Sequence, residues 1–421
     1  MPIDTHHNSA NSCPVVWIVN HYAQEPNGAG GTRHFSLARE LKEQELSPYI
    51  IAASTVHNQK AQRLDGTQSL RIDLIEDIPF IWLKTSIFEG NGLKRLYNMV
   101  RFGWQVRSKK LLAHIPKPDF VIGSSPDPFA ALGAQRAAAK YGAAFLYEIR
   151  DLWPLSLIEL KRLRRLHPLA LLMSGIERFL IARAHRILVV QQQSDRYLVP
   201  RGANPAHIIY LPNGIDLTLF PEPTAKQKEA NFTFMYFGAH GNGNALDTLL
   251  YAMQKIEAAS INTPILLRLI GDGPLKPSLV ELASSLGLTR VTFEPPIAKR
   301  DIPALAAQAD ALIFHVVDMP VLKYGISANK LFDYLAARRP VIFACNAPNN
   351  PVADAQAGIS IAACDADAMA TCMQEMSLIT QDELNAMGDR GRAYVSKMHS
   401  TKALGEKLAN TLKELLTQHS I

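Results

Sequence analysis

The chain has 421 residues, of which 48% are hydrophobic and 19% are charged. This length predicts two or three domains. The composition is that of a globular protein and excludes a disordered or fibrous one. Four cysteines are present, and none forms a C-x-x-C pair. This pattern argues against a disulfide scaffold and against a cysteine-based zinc site.

The formal net charge of +6 is unevenly distributed. Residues 1–211 hold 26 Lys and Arg against 17 Asp and Glu, a net of +9, whereas the remainder carries a net of −3. The asymmetry predicts an anionic partner for the first half: a membrane surface, a nucleic acid or a phosphorylated substrate. The sequence shows neither a signal-peptide pattern nor an apolar run long enough to span a bilayer. We therefore expect a cytoplasmic protein, either free or peripheral on the inner face of the cytoplasmic membrane.

Short apolar strands alternate with helical patterns along the chain. One series runs from Val15–Asn20 to Ile187–Val190, and a second runs from Phe232–Phe237 to Pro340–Ala344. Such alternation favours βαβ units and parallel sheets. The intervening stretch is rich in proline and charge, as linkers are. We predict an N-terminal domain at 1–212, a linker at 213–230 and a C-terminal domain at 231–399, with a C-terminal helix at 400–421 that could pack back on the first domain.

A glycine cluster lies between the first predicted strand and the first predicted helix. It contains Gly28, Gly30 and Gly31, but Arg33 occupies the third glycine position of a dinucleotide-binding fingerprint. We expect Arg33 to obstruct close packing of the helix on the strand, which argues against a nicotinamide or flavin site. The cluster is then either a loop that approaches an anion or sugar at a helix N-terminus, or a plain βα turn.

Two similar loops follow strands of the second domain. The first spans 238–244 and contains Gly238 and His240, and the second contains Gly271 and Asp272. Loops at the carboxyl ends of parallel strands are where open α/β sheets bind ligands. The alternatives are an ordinary surface histidine in the first loop and a tight glycine turn in the second.

A helix is predicted to begin near Asn329, with Lys330 and Asp333 in its first turn. Free backbone N–H groups and partial positive charge at a helix N-terminus attract anions. Lys330 would complete a diphosphate site, and Asp333 would reach a ribose hydroxyl. The alternatives are a solvated lysine and a carboxylate that stabilises the helix dipole.

Polar residues also crowd the end of a strand in the first domain. Glu148, Arg150, Asp151 and Trp153 fall within seven residues of the strand ending near Ile149. The alternative to a binding site is a salt-bridged loop capped by an aromatic ring. The sequence lacks the G-x-x-x-x-G-K-[ST], H-E-x-x-H and G-x-S-x-G patterns, which argues against a P-loop nucleotidase, a zinc protease and a serine hydrolase of those types.

Together these motifs resemble retaining glycosyltransferases of family 4. Those enzymes have the GT-B fold, an α/β architecture of two Rossmann-like domains with parallel sheets facing across a cleft. Pro212–Asp216 (P-N-G-I-D) is similar to the interdomain motif of the family. Glu148–Pro154 (E-I-R-D-L-W-P) and Tyr324–Ala336 resemble a bacterial subgroup that builds surface polysaccharides such as O-antigen, capsule and colanic-acid-like polymers.

The resemblance implies retaining transfer of a hexosyl or N-acetylhexosaminyl group from a nucleoside-diphosphate sugar to a lipid-linked or saccharide acceptor. The expected donor is a UDP-sugar, and neither a metal nor another cofactor is expected. The N-terminal domain would bind the acceptor and the C-terminal domain the donor. The residues assigned a catalytic role are Arg150, Asp151, His240 and Lys330. Donor binding is assigned to Gly30, Gly31, Gly238, Gly271, Asp272, Pro296, Asn329, Lys330 and Asp333, and the acceptor side to Ser125, Glu148 and Trp153.

The chain departs from the family pattern at two positions. Gly325 stands where the E-x7-E motif has its first glutamate, with Asp333 at the second, and Ala239 stands where many members have arginine. The leaving nucleoside diphosphate develops negative charge that must be stabilised. We expect His240 and Lys330 to supply the missing positive charge.

Two basic segments, residues 82–117 and 160–166, interleave lysines and arginines with aromatic and aliphatic residues. Such mixtures suit an anionic membrane surface, and acceptors in this family are often saccharides on polyprenyl diphosphate. The alternative is a solvated helix face. Two other functions stay open from the sequence. One is a sugar-nucleotide epimerase of the GT-B fold, and the other is a basic nucleic-acid-binding protein, against which the lack of a recognition motif argues.

Overall fold

The structure is a computed structural model. It describes residues 13–26, 32–56, 61–87, 92–159, 163–221, 230–259 and 264–419. The chain divides into two compact units, Met1–Pro212 with Thr401–Ile421, and Asn213–Ser400. Gly30 and Gly31, residues 222–229 of the predicted linker, residues 88–91 of the first basic segment and residues 160–162 of the second lie outside the described residues.

The first unit is built from short apolar strands and the helices that connect them. Its strands are β1 (Val15–Val19), β2 (Ser47–Ala53), β3 (Thr55–Val56), β4 (Ala61–Gln62), β5 (Leu70–Ile75), β6 (Ile78–Leu83), β7 (Phe120–Ser124), β8 (Ala144–Ile149), β9 (Arg186–Val189) and β10 (Ile208–Tyr210). Its helices before the second unit are α1 (Arg33–Glu43), α2 (Leu93–Val106), α3 (Pro128–Tyr141), α4 (Leu155–Glu159), α5 (Pro168–Arg183) and α6 (Asp195–Leu198).

Within the described residues, eight of these strands form one sheet in the order β10-β9-β8-β7-β1-β2-β6-β5. All neighbours are parallel except the edge strand β5, which pairs antiparallel with β6. The central strands β1, β7 and β8 are buried along their whole length, because helices cover both faces of a parallel sheet. The sequence analysis did not predict β5, whose residues are mostly half-buried.

The second unit repeats this plan with one sheet of parallel strands. The strands are β11 (Phe232–Phe237), β12 (Ile265–Ile270), β13 (Val291–Glu294), β14 (Ala311–His315), β15 (Val341–Ala344) and β16 (Gly358–Ile361), in the order β13-β12-β11-β14-β15-β16. The helices are α7 (Leu246–Ala258), α8 (Lys276–Ser285), α9 (Ile302–Ala306), α10 (Asn329–Ala336), α11 (Pro351–Asp354), α12 (Ala366–Ser377) and α13 (Gln381–Met398). Apolar clusters cover the two faces of the sheet.

A last helix, α14 (Thr401–His419), returns to the first unit. Leucines 404, 408, 412 and 415 recur at helical spacing and join the same apolar core as α1 and the first sheet. Gly405 permits this packing, since a Cβ there would lie 2.2 Å from the Cβ of Glu40 on α1. Helix α14 therefore belongs structurally to the first unit.

Helices α2 and α3 pack against each other backbone to backbone. A Cβ at Gly133 would lie 2.2 Å from the carbonyl oxygen of Gly103, and a Cβ at Gly103 would lie 2.1 Å from the carbonyl oxygen of Phe129. Since no real Cβ can approach so closely, only glycine fits at either position. This contact fixes how the two helices present their neighbouring side chains.

We expect Gly133→Ala to destabilise the protein. Overpacking of this kind costs about 1–3 kcal/mol, and the midpoint of thermal unfolding should fall by several degrees because a unit of this size shifts by about 2–4 °C per kcal/mol. The matched control is Gly175→Ala in α5, where a Cβ meets nothing within 4 Å. That substitution should leave the midpoint unchanged or raise it, because alanine favours a helix over glycine. Equal midpoints for the two variants would contradict the packing argument.

Candidate active site

A buried carboxylate, Glu148, organises the carboxyl edge of the first sheet. It is the next-to-last residue of β8 and is 1% exposed. Its Oε1 accepts a hydrogen bond from Nε of Arg33 at 2.8 Å, and its Oε2 lies 2.8 Å from Nε2 of His34 and 2.5 Å from Oγ of Ser124. Burial raises the pKa of Glu148, but His34 and Arg33 outweigh it and hold the pKa well below its usual range. The group is therefore an ionised anchor whose oxygens bind protein groups.

Arg33 has a different role from the one expected. It is the first residue of α1 and is buried, and besides Glu148 it donates from Nη2 to the carbonyl of Leu211 at 2.8 Å and from Nη1 to the carbonyl of Pro212. The prediction that Arg33 obstructs helix–strand packing is wrong. The buried guanidinium instead connects α1 to Glu148 of β8 and to Leu211 and Pro212, the residues directly before the second unit.

The predicted acceptor-side residues separate into supporting and accessible groups. Ser125 is buried, and its Oγ accepts from the backbone N–H groups of Arg150 at 2.8 Å and Asp151 at 3.3 Å. Ser125 and Glu148 thus have protein partners and hold the loop after β8. Asp151 is exposed and Trp153 is half-buried, so these two side chains of the predicted set remain accessible.

A buried His–Asp pair beside this cluster was missed by the sequence analysis. Nδ1 of His21, which follows β1, lies 2.6 Å from Oδ2 of Asp127, and both residues are buried. The His21 ring stacks on Tyr22 at 4.6 Å between centroids. Asp127 also caps α3 by accepting from the N–H groups of Phe129 and Ala130. Because the partners are 106 residues apart, no local pattern could have indicated the pair.

In the second unit, two loops at the carboxyl ends of β11 and β12 pack through glycines. A Cβ at Gly271 would lie 1.9 Å from the carbonyl oxygen of Gly238, and one at Gly273 would lie 2.4 Å from that of His240. Both glycines have positive φ, +146° and +159°, which other residues rarely adopt. Backbone contact of this kind brings the predicted residues Gly238, His240 and Gly271 into one cluster.

His240 lies inside this cluster, with its side chain buried. Neither ring nitrogen has a hydrogen-bond partner among the described residues. Burial, with a contribution from the Lys276 ammonium, lowers the pKa of His240. The neutral imidazole is therefore favoured, so His240 does not supply the positive charge that we expected of it in the ligand-free protein.

Lys330, in the first turn of α10, is a cation at this cluster. Its Nζ lies 3.2 Å from the Tyr236 hydroxyl and 2.5 Å from Oδ1 of Asn244, and it faces the rings of Tyr236 and Phe314 at 4.7 and 5.1 Å. These partners are neutral. Burial lowers the pKa of Lys330 to about 7, since desolvation disfavours the charged form. An anion placed here would stabilise the ammonium.

The N-terminus of α10 has no side-chain cap, so backbone N–H groups of its first turn are available. Asn329 is exposed there. Asp333 lies in the second turn rather than the first; it is buried, and its Oδ1 is 3.5 Å from Nζ of Lys299. Burial raises the pKa of Asp333 despite this partner. Asp272 and Pro296 are exposed after β12 and β13, respectively.

A second lysine near these loops was missed. Nζ of Lys276 donates to the carbonyl oxygens of Gly271 at 2.8 Å and Glu294 at 2.6 Å, and so ties the ends of β12 and β13 together. His315 links two further loops: its Nδ1 lies 2.8 Å from the Asn244 carbonyl, and its Nε2 accepts from the Cys364 N–H at 3.1 Å. These residues support the cluster rather than line it.

The described part of the chain lacks two features. No group of three or more His, Cys, Asp or Glu there is arranged to hold a metal ion. No helix there has both the length and the hydropathy to cross a membrane.

The chain matches two family models. Residues 30–219 match the model for Glycosyltransferase Family 4, and residues 231–377 match the model for Glycosyl transferases group 1. A search of curated proteins found no match.

Solved structures resemble the fold over nearly its whole length. Sucrose-phosphate synthase from Thermosynechococcus elongatus has a TM-score of 0.74 at 16% identity, covering 96% of this chain and 100% of that one. HepE from Anabaena in complex with UDP has a TM-score of 0.65 at 14% identity, covering 95% and 100%. WaaG, a glycosyltransferase involved in lipopolysaccharide biosynthesis, has a TM-score of 0.65 at 16% identity, covering 94% and 99%.

The fold and the family models define the class of this protein as a glycosyltransferase with the GT-B fold. More specifically, its N-terminal region is of the Family 4 type and its C-terminal region is of the group 1 type. The predicted α/β fold with two domains of parallel strands is confirmed, apart from the antiparallel edge strand β5.

We expect Glu148→Gln to reduce stability strongly. Removing one partner of a buried ion pair leaves the other charge uncompensated and costs about 3–5 kcal/mol, so the midpoint of thermal unfolding should fall by roughly 5–20 °C. The double variant Arg33→Met/Glu148→Gln should recover part of the loss. Asp151→Asn, on an exposed residue, should leave the midpoint unchanged.

The sign of the pH dependence follows from the depressed pKa of Glu148. The stabilisation is present above the unfolded-state pKa, near 4.3, and is lost as the pH falls toward the folded-state value. Glu148→Gln should therefore show a weaker loss of stability with acidification than the wild type. A midpoint for Glu148→Gln equal to that of the wild type at neutral pH would contradict the anchoring role.

Proposed function

We propose that this protein is a retaining glycosyltransferase that moves a hexosyl or N-acetylhexosaminyl group from a UDP-sugar to a saccharide carried on polyprenyl diphosphate. The product would enter a bacterial surface polysaccharide such as O-antigen or capsule. The observation that carries the donor part is the surroundings of Lys330. It is a cation with neutral partners, in the uncapped first turn of α10 and beside two glycine loops.

The donor diphosphate would bind where these features meet. Its oxygens would accept from N–H groups at the start of α10 and from the Lys330 ammonium, and the positive end of the helix would add to the attraction. HepE from Anabaena has been solved with UDP and with UDP-glucose, which favours uridine as the base here. Asp333 and Asp272 are the proposed partners of the donor's hydroxyls, and Gly238, Gly271, Pro296 and Asn329 would complete the donor site.

The proposed chemistry is displacement at the anomeric carbon with departure of UDP on the same face. The bond to the β-phosphate oxygen breaks while the acceptor oxygen bonds to that carbon, and the leaving phosphate takes the acceptor's proton. Lys330 and the helix terminus would stabilise the negative charge on the leaving group, so no metal is required. Neutral His240 would act near the donor sugar as a hydrogen-bonding group.

Arg150 and Asp151 are the proposed acceptor-side catalytic residues, with Trp153 beside them. The structure supports this proposal because the loop that carries them is held in place. Ser125 accepts hydrogen bonds from the backbone N–H groups of Arg150 and Asp151. Glu148, one residue before the end of β8, is hydrogen-bonded to Arg33. A lipid-linked acceptor requires a membrane surface. We propose that the basic segments 82–117 and 160–166 bring the enzyme to the inner face of an anionic membrane.

Lys330→Ala should abolish stabilisation by UDP. A ligand at 100 times its Kd stabilises the native state by about 2.7 kcal/mol, so UDP should raise the unfolding midpoint of the wild type measurably. The matched control is Lys323→Ala, which removes an exposed lysine from the segment before α10 and should retain the full shift. A shift of wild-type size in Lys330→Ala would contradict the donor site.

The same site predicts how UDP affinity depends on pH. Because burial lowers the pKa of Lys330 to about 7 in the free protein, UDP binding must protonate the amine in the molecules that are neutral. Affinity should therefore fall about tenfold per pH unit between pH 7.5 and 9, as the protonated fraction falls. Calorimetry in buffers of different ionisation enthalpy should show uptake of about one proton at pH 8.5. Affinity that is flat over this range would contradict the lowered pKa.

Product analysis tests the reaction. With UDP-sugar and an acceptor saccharide, NMR of the product should show the anomeric configuration of the donor, and a chelator should leave the rate unchanged. An epimerase would instead change the donor sugar in the absence of acceptor. Asp151→Asn should lower the rate of transfer by about a hundredfold without lowering UDP affinity. An inverted product would contradict retention.

A further inference from the structure

A basic groove lies on the first unit between α2 and α3, separate from the Glu148 cluster. It encloses about 420 Å³ and is lined by Trp104, Arg107, Ser108, Lys109, Arg136 and Lys140. Four of these six residues are cationic, and none is acidic. A concave site with this lining attracts an anion.

The packing of α2 on α3 fixes the groove. The close contact of Gly103 with Gly133 places Trp104 and Arg107, one and four residues on, beside Arg136, three residues on. Along α3, Arg136 and Lys140 are four residues apart and share a face. The groove is therefore set by a backbone contact rather than by flexible surface side chains alone.

The cationic side chains of the groove contact aromatic rings and a carbonyl oxygen rather than carboxylates. The Arg107 guanidinium lies 3.4 Å from the Trp104 ring centroid, and Arg136 lies 5.2 Å from the ring of Phe179 on α5. Nζ of Lys140 donates to the carbonyl of Arg107 at 3.2 Å. In the described part of the chain, none of Arg107, Lys109, Arg136 and Lys140 forms an ion pair with a carboxylate. Their positive charge is available to a ligand.

The surface that leads to the groove is apolar and aromatic. Tyr97, Val100 and Trp104 are 61%, 44% and 65% exposed, and their spacing places them on one face of α2. Tyrosine and tryptophan favour the interface between lipid and water. A free phosphate in water makes no apolar contacts with such a face. The headgroup phosphate of a lipid is attached to acyl chains, and these chains can pack against exposed apolar side chains.

We propose that this groove is a binding site for the phosphate of an anionic membrane phospholipid, with Tyr97, Val100 and Trp104 entering the membrane interface beside it. The proposal rests on the membrane-linked acceptor proposed above and deepens it, because it replaces diffuse attraction by a defined site. Arg107, Lys109, Arg136 and Lys140 bind the headgroup phosphate, and Trp104 both stacks on Arg107 and contacts the acyl boundary.

Flotation of the full-length protein with vesicles tests the site. Phosphatidylcholine vesicles with and without phosphatidylglycerol should show binding of the wild type only when the anionic lipid is present. Arg136→Gln/Lys140→Gln should lower the affinity for the anionic vesicles by about tenfold or more. The matched control, Lys402→Gln/Lys413→Gln, removes the same charge from exposed positions of α14 and should lower it less than about threefold. Thermal unfolding checks that both double variants fold.

Three outcomes would overturn the proposal. Equal losses in the two double variants would show that charge acts diffusely and that the groove is not a site. Full competition by glycerol phosphate in solution would show a site for free phosphate esters rather than for a membrane lipid. Unchanged vesicle binding by Trp104→Ala would contradict entry of the aromatic face into the membrane, on which the assignment of a lipid rather than a soluble phosphate rests.

The test separates this proposal from the glycosyltransferase function. Arg136→Gln/Lys140→Gln should keep its thermal stabilisation by UDP and its transfer to a water-soluble saccharide acceptor, while transfer to an acceptor in anionic vesicles falls. Loss of UDP stabilisation in the wild type would count against the donor site instead. Vesicle binding that is unaffected while soluble transfer is absent would leave the groove standing and overturn the proposed reaction.

Discussion

The first unit depends on one buried charge, the carboxylate of Glu148. Its partners come from two other elements: Arg33 and His34 from α1, and Ser124 from β7. A buried carboxylate that loses its partners is left as an uncompensated charge, which is strongly destabilising. The positions of α1, β7 and β8 relative to one another are therefore restricted. Arg33 extends the network to the carbonyls of Leu211 and Pro212, the last residues of the unit before the chain enters the second. The loop that carries Arg150 and Asp151 begins after Ile149, one residue beyond Glu148, and is held in place by the same anchored strand.

In the second unit, the loops at the carboxyl edge of the sheet are held together by glycine contacts rather than by a buried ion pair. Its loops meet through backbone contact at Gly238, Gly271 and Gly273, where no buried ion pair is needed. The cluster is instead lined by neutral groups, the Tyr236 hydroxyl and the Asn244 amide among them. The charged form of Lys330 is consequently only weakly stabilised by its surroundings, and its pKa is lowered to about 7. Desolvation of the Lys330 ammonium is unfavourable in the free protein, and a bound anion would offset it by stabilising the charged form.

The sequence predicts the fold well where strands are continuously apolar. The bounds of β11 agree with the predicted ones, and those of β1, β9 and β15 agree to within one residue, because burial on both faces leaves no ambiguity in the pattern. It fails for β5 and β16, which lie at sheet edges and are partly exposed. At the site, the glycine loops and Lys330 were indicated by position alone. The role of Arg33 was misjudged because its partner is 115 residues away, and the His21–Asp127 pair, 106 residues apart, was missed for the same reason: tertiary pairs leave no local signal. Lys276 was missed although its partners Gly271 and Glu294 are only 5 and 18 residues away.

The division of charge between the two halves agrees with the two partners proposed for them. A diphosphate held by one lysine and a helix terminus needs only local charge, and the lowered pKa of Lys330 means that part of this charge arrives as a proton when the anion binds. The half proposed to bind the donor can therefore carry a net charge of −3 and still attract a diphosphate. An extended anionic surface gives no such local compensation, since each phosphate must meet a charge that is already present. The +9 of residues 1–211 and the unneutralised cations of the α2–α3 groove meet that requirement, because arginines held by aromatic rings stay charged at every physiological pH.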